Sequence, residues 1–200
     1  MIDTPYSSCM TGEQFLFDEM RIVARLYTQG RSLSEIIDTV TRDNLFQYPT
    51  EKKYSRIARA CHKRITAMDN QTLTAELAEA PITVAKQINL YAIMRYNRLV
   101  REFMINLVGE KYRNQDFTIT RKDLNVFFAG LQQQSGEVAN WGDKTEQKLK
   151  QVLIKCLTEV EMLDSIHDTT LNQFLISVEL ENGIRENGDL TALVAFNCFN

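Results

Sequence analysis

Apolar side chains recur at helical spacing along almost the whole chain, and this periodicity limits the fold more than any other feature. The clearest run is Leu16, Met20, Val23 and Tyr27. A spacing of i, i+4, i+7 and i+11 places side chains on one face of an α-helix. Only 8 glycines and 3 prolines occur in the 200 residues, which is few for an all-β chain. The sequence therefore predicts an all-α protein.

Residues typical of helix ends mark where several helices should begin or stop. A Ser or Thr followed three residues later by Glu, Gln or Asp can satisfy the first backbone N–H groups of a helix. Such pairs occur at Thr11/Gln14, Ser32/Glu35, Thr120/Asp123 and Thr170/Gln173. Gly30 is expected to end the first helix, because glycine readily adopts the left-handed conformation found there. Asp143, with Glu146 three residues later, is expected to cap a long helix in the second half.

The first three predicted helices follow one another in a recognisable order. A helix ends at Gly30, a short helix opens at Ser32, the segment 44–49 forms a turn, and a longer helix begins at Thr50. This order is typical of a helix-turn-helix unit, in which the last helix contacts the DNA. The second half repeats the same plan, with helices after Thr120 and Asp143.

The pattern also predicts how the chain divides. A long helix from Pro81 to about Val108 is expected to act as a central strut, and the polar segment 109–116 as a linker. We therefore predict an N-terminal helix-turn-helix lobe with the central helix over residues 1–108, and a C-terminal helix-turn-helix-like lobe over 117–200. The two lobes should form one compact globule. The last forty residues can form helices or a small β-wing, and helices are preferred.

Cations gather on one side of the predicted helix between Thr50 and Met68. Spacing of i, i+4, i+7 and i+11 places four of them within about 60° of arc. These are Lys52, Arg56, Arg59 and Lys63, flanked by Lys53 and Arg64. The opposite side is apolar and carries Tyr54, Ile57, Cys61, Ile65 and Met68. In a chain with a net charge of −3, such a stripe indicates binding to a local anion, and a nucleic-acid backbone is the nearest large candidate.

Other interpretations of the basic stripe remain open. The cations could be a solvated face paired with Glu51 or neighbouring acids, or the helix could lie on an anionic membrane. A second, weaker set consists of Lys144, Lys148 and Lys155, which share one side of the helix after Asp143. Asp143, Glu146 and Glu159 dilute this set, so DNA contact and a solvated surface are both possible there.

The sequence does not indicate a catalytic, metal-binding or membrane-spanning protein. The chain has no Gly-rich phosphate loop, Walker-type lysine, HExxH motif or nucleophile elbow. Its four cysteines form no CxxC pair, and Cys61 and Cys156 should be small buried side chains in a reducing compartment. No secretion signal or apolar run of about 20 residues occurs. We expect a non-catalytic, cytoplasmic protein without cofactor or metal.

Three stretches of the chain are distinctive in combination: Tyr6-Ser7-Ser8 with Gly12-Glu13-Gln14-Phe15 and Glu19-Met20, then Gly30 to Ile37, and then Tyr54, Arg56, Cys61 and Arg64. These stretches resemble the BrxA family of bacteriophage-exclusion (BREX) phage-defence systems. The resemblance covers nearly the whole chain. It implies a small, cytoplasmic, all-helical component of a system that methylates host DNA and blocks replication of unmodified phage DNA. Proteins of this family are similar in plan to helix-turn-helix DNA binders and have been likened to NusB-type RNA-binding proteins.

These observations predict a monomeric, non-catalytic protein that binds double-stranded DNA, mainly through phosphates. The expected contact residues are Lys52, Lys53, Arg56, Arg59, Lys63 and Arg64, joined by Lys144, Lys148 and Lys155. Other proteins of the defence system are possible partners. Two alternatives stay open: an RNA-binding protein of antitermination type, and a scaffold that binds only proteins through its acidic C-terminal segment.

Overall fold

The computed structural model describes residues 4–199, apart from the side chain of Glu51. Over this part of the chain it forms eleven α-helices and no β-strand, which confirms the all-α prediction. The helices are α1 (Phe17–Thr28), α2 (Leu33–Arg42), α3 (Glu51–Met68), α4 (Gln71–Glu79), α5 (Ile82–Tyr96), α6 (Arg98–Glu102), α7 (Glu110–Arg113), α8 (Arg121–Gln134), α9 (Gly136–Ala139), α10 (Asp143–Glu159) and α11 (Val178–Glu186). Two 3₁₀ helices (Cys9–Thr11 and Leu190–Phe196) and a π-helical turn (Phe103–Gly109) complete the secondary structure.

Two predicted helix starts are confirmed in full. The Ser32 hydroxyl accepts a hydrogen bond from the Glu35 N–H (3.3 Å), and the Ser32 N–H donates to the Glu35 carboxylate (2.7 Å). Thr120 and Asp123 make the same reciprocal pair at the start of α8. Gly30 adopts φ +79° just after α1, as a helix-ending glycine should. These signals work because both partners lie within a few residues of each other.

Three other predicted caps are wrong. The Thr11 hydroxyl donates to the Ser8 carbonyl oxygen inside the 3₁₀ turn, and α1 begins only at Phe17. Thr170 pairs with Thr118 in an isolated β-bridge, so its segment is extended and α11 starts later, capped by Ser177. The helix after Trp141 is capped by Gly142, and Asp143 is its first helical residue.

The predicted central helix is interrupted at Asn97. Its backbone is extended (φ −120°, ψ 111°), so α5 ends at Tyr96 and α6 begins at Arg98. The Asn97 side chain accepts a hydrogen bond from the Val100 N–H (3.1 Å) and donates to the Ser7 carbonyl oxygen (3.4 Å). A continuous helix from Pro81 to Val108 is therefore wrong. The segment 109–116 is also not an open linker, because α7 occupies its centre.

The chain divides into two compact units. The α3 unit contains Leu16–Tyr96 and Ser177–Asn187. The α10 unit contains the described residues up to Phe15, Asn97–Ile176, and the described residues from Gly188 onward. The boundary between the units lies at Asn97, where the helix is interrupted, and α11 belongs to the α3 unit.

Helix packing builds the core of the α3 unit. In this unit α1 packs on α3 and α4, and α3 also packs on α2 and α5. The buried side chains include Met20, Val23 and Ile36, together with most of α5. Cys61 is buried here, as predicted.

The α10 unit has a separate core. The π-helical turn packs on α6, α7, α8 and the 3₁₀ helix Leu190–Phe196. Gly109 meets Val194 so closely that a Cβ there would lie 2.6 Å from Val194 Cγ1 and 2.9 Å from its carbonyl oxygen. The last forty residues, predicted as helices or a small β-wing, form α11 and the 3₁₀ helix Leu190–Phe196 and no strand over their described part. Cys156 is buried in α10 as predicted.

Candidate nucleic-acid interface

The basic segment forms one continuous helix, α3, from Glu51 to Met68. Its C-cap residue is Asp69, which takes a left-handed conformation (φ 50°) and donates its N–H to the Ile65 carbonyl oxygen. The predicted apolar side is buried: Tyr54, Ile57, Cys61, Ile65 and Met68 are each at most 3% exposed. Since this face packs on α1, α2 and α5, the rotation of α3 about its axis is fixed.

The four cations of the predicted stripe lie on the opposite side of α3. We call Lys52, Arg56, Arg59 and Lys63 the α3 stripe; all four are exposed. Among the side chains that the structure describes, no carboxylate forms an ion pair with any of them. Their charges therefore face solvent and can meet an external anion.

The structure corrects the prediction for Arg64. Its side chain is completely buried, with 0% exposure. On a helix with about 100° per residue it lies about 80° from Arg56, toward the packed side. A residue without solvent-accessible surface cannot contact DNA phosphates, so Arg64 is a core residue of the α3 unit.

Lys53 occupies an intermediate position beside the stripe. It is half-buried, and its Nζ lies 3.6 Å from the ring centroid of Tyr48. This is a close cation–π contact. Tyr48 belongs to the connection between α2 and α3, and no periodicity or motif in the sequence identifies it as part of the site.

Hydrogen bonds and ring contacts hold the connection between α2 and α3 in place. The Tyr48 hydroxyl donates to the Glu19 carboxylate of α1, and the Tyr48 N–H donates to the Tyr54 hydroxyl (2.8 Å). The Phe46 ring stacks on Tyr54 with centroids 5.6 Å apart. Burial raises the pKa of Tyr48, and the bond to Glu19 raises it further, so this phenol stays neutral at physiological pH.

His62 lies on α3 next to Lys63 but differs from the stripe in its surroundings. It is half-buried, and its ring meets the edge of Tyr27 with centroids 5.5 Å apart. Burial lowers the pKa of His62. It is therefore mostly neutral at neutral pH and adds little charge to the stripe.

The second lysine set is also exposed. Lys144, Lys148 and Lys155 all face solvent on α10, and the Lys155 Nζ donates to Gln14 Oε1 (3.4 Å). Together with exposed Gln151, these lysines have the same i, i+4, i+7, i+11 spacing on α10 as the cations of the α3 stripe have on α3. The Glu146 carboxylate binds other residues: its Oε1 lies 2.5 Å from Lys150 Nζ, and its Oε2 accepts a hydrogen bond from the Gln132 side chain. The three ammonium groups of this set are therefore accessible to solvent.

The described residues contain no group of three or more His, Cys, Asp or Glu side chains that could hold a metal ion. None of the helices that the structure describes is both long and apolar enough to cross a membrane.

Comparisons with known proteins agree along almost the full length of the chain. The BrxA family model matches residues 4–188. A "BREX protein BrxA" of Bacillus cereus (strain H3081.97) is 34% identical over 185 residues, covering 92% of each chain. A second "BREX protein BrxA", from Paramagnetospirillum magneticum (strain ATCC 700264 / AMB-1), is 21% identical over 189 residues, covering 94% of each chain.

A solved structure shares the fold. The crystal structure of an uncharacterized protein from Magnetospirillum magneticum superposes with a TM-score of 0.81 at 21% identity, covering 96% of this chain and 98% of that one. At this identity the likeness concerns the fold alone. The family match and the 34% identical relative identify the family: the chain belongs to the BrxA family of the BREX phage-defence systems.

Proposed function

We propose that this chain is a non-catalytic DNA-binding component of a BREX system, and that it holds double-stranded DNA through phosphate contacts from the α3 stripe. The observation that carries the proposal is the combination of two faces on one helix. One face is buried and fixes α3, and the other presents four exposed cations without described carboxylate partners.

The dimensions of the stripe suit a DNA strand. From Lys52 to Lys63 the helix rises about 16 Å, whereas a DNA strand carries one charge per about 3.4 Å of helix axis. Several phosphates can therefore be neutralised at once. Because the whole chain has a net charge of −3, the rest of the surface repels DNA on average and favours approach through this face.

The arrangement of α1, α2 and α3 supports the helix-turn-helix interpretation. The three helices pack on one another, and α3 is the third. The connection over residues 43–50 is longer than the about three to four residues common in this motif. We therefore propose α3 as the DNA-contacting helix without assigning sequence-specific base contacts to it.

The lysines of α10 are proposed as a second, weaker contact. Lys144, Lys148 and Lys155 are exposed, but Asp143 stands beside them and Gln151 replaces a cation in the spacing. Fewer charges release fewer counterions from DNA, so their share of the affinity should be smaller.

Fluorescence anisotropy with a labelled duplex of about 20 base pairs tests the proposal. Binding should weaken with salt, with a log–log slope of about −4 for four to five neutralised phosphates. The variant Arg56→Glu/Arg59→Glu should bind at least about tenfold more weakly with unchanged helicity. The control Arg121→Glu/Lys122→Glu makes the same charge change on exposed residues of α8 and should stay within about threefold of wild type.

Two outcomes would favour other functions. If structured RNA displaces the duplex at equal concentration while random single strands do not, the protein is an RNA binder of antitermination type. If neither nucleic acid binds at physiological salt, or both charge-reversed variants lose binding equally, the α3 stripe is not a DNA site and a protein-only scaffold is the better description.

A further inference from the structure

Lys53 differs from the cations of the α3 stripe because its ammonium group already has a fixed place. Lys52, Arg56, Arg59 and Lys63 extend into solvent, whereas Lys53 Nζ rests 3.6 Å from the centroid of the Tyr48 ring. A lysine side chain normally loses much rotational freedom when it binds a phosphate. A lysine held over an aromatic face has lost part of that freedom before binding.

Tyr48 is itself anchored on several sides. Its hydroxyl donates to Glu19 on α1 and its N–H donates to the Tyr54 hydroxyl on α3. Its ring makes T-shaped contacts with the rings of Phe46 and Tyr54, whose centroids lie 5.9 Å and 5.7 Å from its own. The surface that carries Lys53 is therefore rigid.

The connection that contains Tyr48 is equally constrained. Asn44 and Gln47 both adopt positive φ (50° and 53°), and the Gln47 N–H donates to the Asn44 carbonyl oxygen. The Tyr54 hydroxyl donates to the Asn44 side chain, which ties this loop to α3. An eight-residue loop with these ties can hold one ring in one place.

We propose that Tyr48 is a positioning residue, which holds the Lys53 ammonium ready for a phosphate next to the α3 stripe. This inference rests on the proposed function. The ring face attracts the cation from one side, and a lysine ammonium has three N–H donors. Since Lys53 is only half-buried, donors remain for a DNA phosphate. Tyr48 does not touch the DNA and acts through Lys53.

The test varies the electron density of the ring without changing its shape. Tyr48→Phe provides the background, and 4-fluorophenylalanine and 3,4,5-trifluorophenylalanine at position 48 progressively weaken the negative ring face. The DNA dissociation constant should rise stepwise by about two- to fivefold in total. In a Lys53→Gln background the same series should be flat, and Lys53→Gln alone should reduce the salt slope by about one.

A purely structural role for Tyr48 gives a different pattern. In that case the fluorinated variants would bind DNA alike in the Lys53 protein, or would change the melting temperature and the affinity equally in both backgrounds. Either result overturns the inference, as does an unchanged salt slope in Lys53→Gln. Failure of the proposed function is recognised separately, because then Arg56→Glu/Arg59→Glu retains full DNA binding.

Discussion

Lys63 and Arg64 are neighbours in α3 but lie in opposite environments: Lys63 is exposed, and Arg64 has no solvent-accessible surface. Consecutive residues of a helix diverge by about 100°, so two adjacent cations can serve different purposes. One belongs to the α3 stripe, and the other fills the interior of the α3 unit.

Replacing each of these residues by alanine should separate binding from stability. Arg64→Ala removes a large buried side chain and should lower the free energy of unfolding by more than about 2 kcal/mol. Lys63→Ala should leave unfolding within about 0.5 kcal/mol of wild type and weaken DNA binding. Urea unfolding and anisotropy measure the two effects. Equal stability of both variants would contradict the burial of Arg64.

The capping box at the start of α2 should contribute to stability without contributing to DNA binding. Ser32→Ala removes the acceptor of the Glu35 N–H and should cost about 1 kcal/mol. Ser34→Ala, an exposed serine in the same helical turn, is the matched control and should be nearly neutral. Thermal unfolding compares the two variants. A Ser34 variant as unstable as the Ser32 variant would show that the cap is not the cause.

Neutralising the lysines of α10 tests the second proposed contact. Lys144→Gln/Lys148→Gln/Lys155→Gln should weaken duplex binding by about three- to tenfold and make the salt slope less steep by one to two, as roughly one to two phosphate contacts are lost. The control Arg113→Gln/Arg121→Gln/Lys122→Gln removes the same charge from exposed positions of the same unit. Indistinguishable slopes for the two triple variants would remove α10 from the interface.

The start of α8 should make stability depend on pH. Lys111 Nζ lies 2.6 Å from Asp116 Oδ2 and 3.2 Å from Asp123 Oδ1. Burial raises the pKa of Asp123, but hydrogen bonds from Thr120 and Lys111 outweigh burial and lower it overall. A carboxyl group with a lowered pKa in the folded state stabilises the protein above its unfolded pKa of about 4, and this stabilisation is lost as the pH falls through the folded pKa.

Asp123→Asn should therefore reduce stability at pH 7 by about 1 kcal/mol or less, since the side chain is partly exposed. The difference from wild type should shrink as the pH falls below about 4 and through the lowered pKa of the folded Asp123 carboxyl group. Asp168→Asn, at an exposed position, is the control. A difference that grows toward low pH would contradict the lowered pKa.

Local signals in the sequence predicted the parts of the fold that depend on residues close together. Ser32 and Glu35 cap α2 because the two residues lie within one helical turn of each other. Gly30 follows the end of α1 in the left-handed conformation that glycine readily adopts. The buried and exposed sides of α3 follow from a repeat of 3.6 residues in the same way. These parts include most of the candidate site.

Features that depend on distant parts of the chain could not be predicted. Asn97 interrupts the helical pattern and binds Ser7, ninety residues away. Thr170 is drawn into an extended pairing with Thr118. Arg64 lies at the border of the stripe on a helical projection, and packing of α1, α2 and α5 on α3 decides that it is buried. Tyr48 lies in a loop, where no periodicity points to it.

Lysine footprinting tests the central claim most directly. The protein is acetylated in low salt with and without saturating duplex DNA, and the modified lysines are quantified by mass spectrometry. Lys52 and Lys63 of the α3 stripe should be protected at least about fivefold by DNA, whereas exposed Lys122 on α8 should react equally in both samples. Unchanged acetylation of Lys52 and Lys63 in the saturated complex would show that DNA binds elsewhere or not at all.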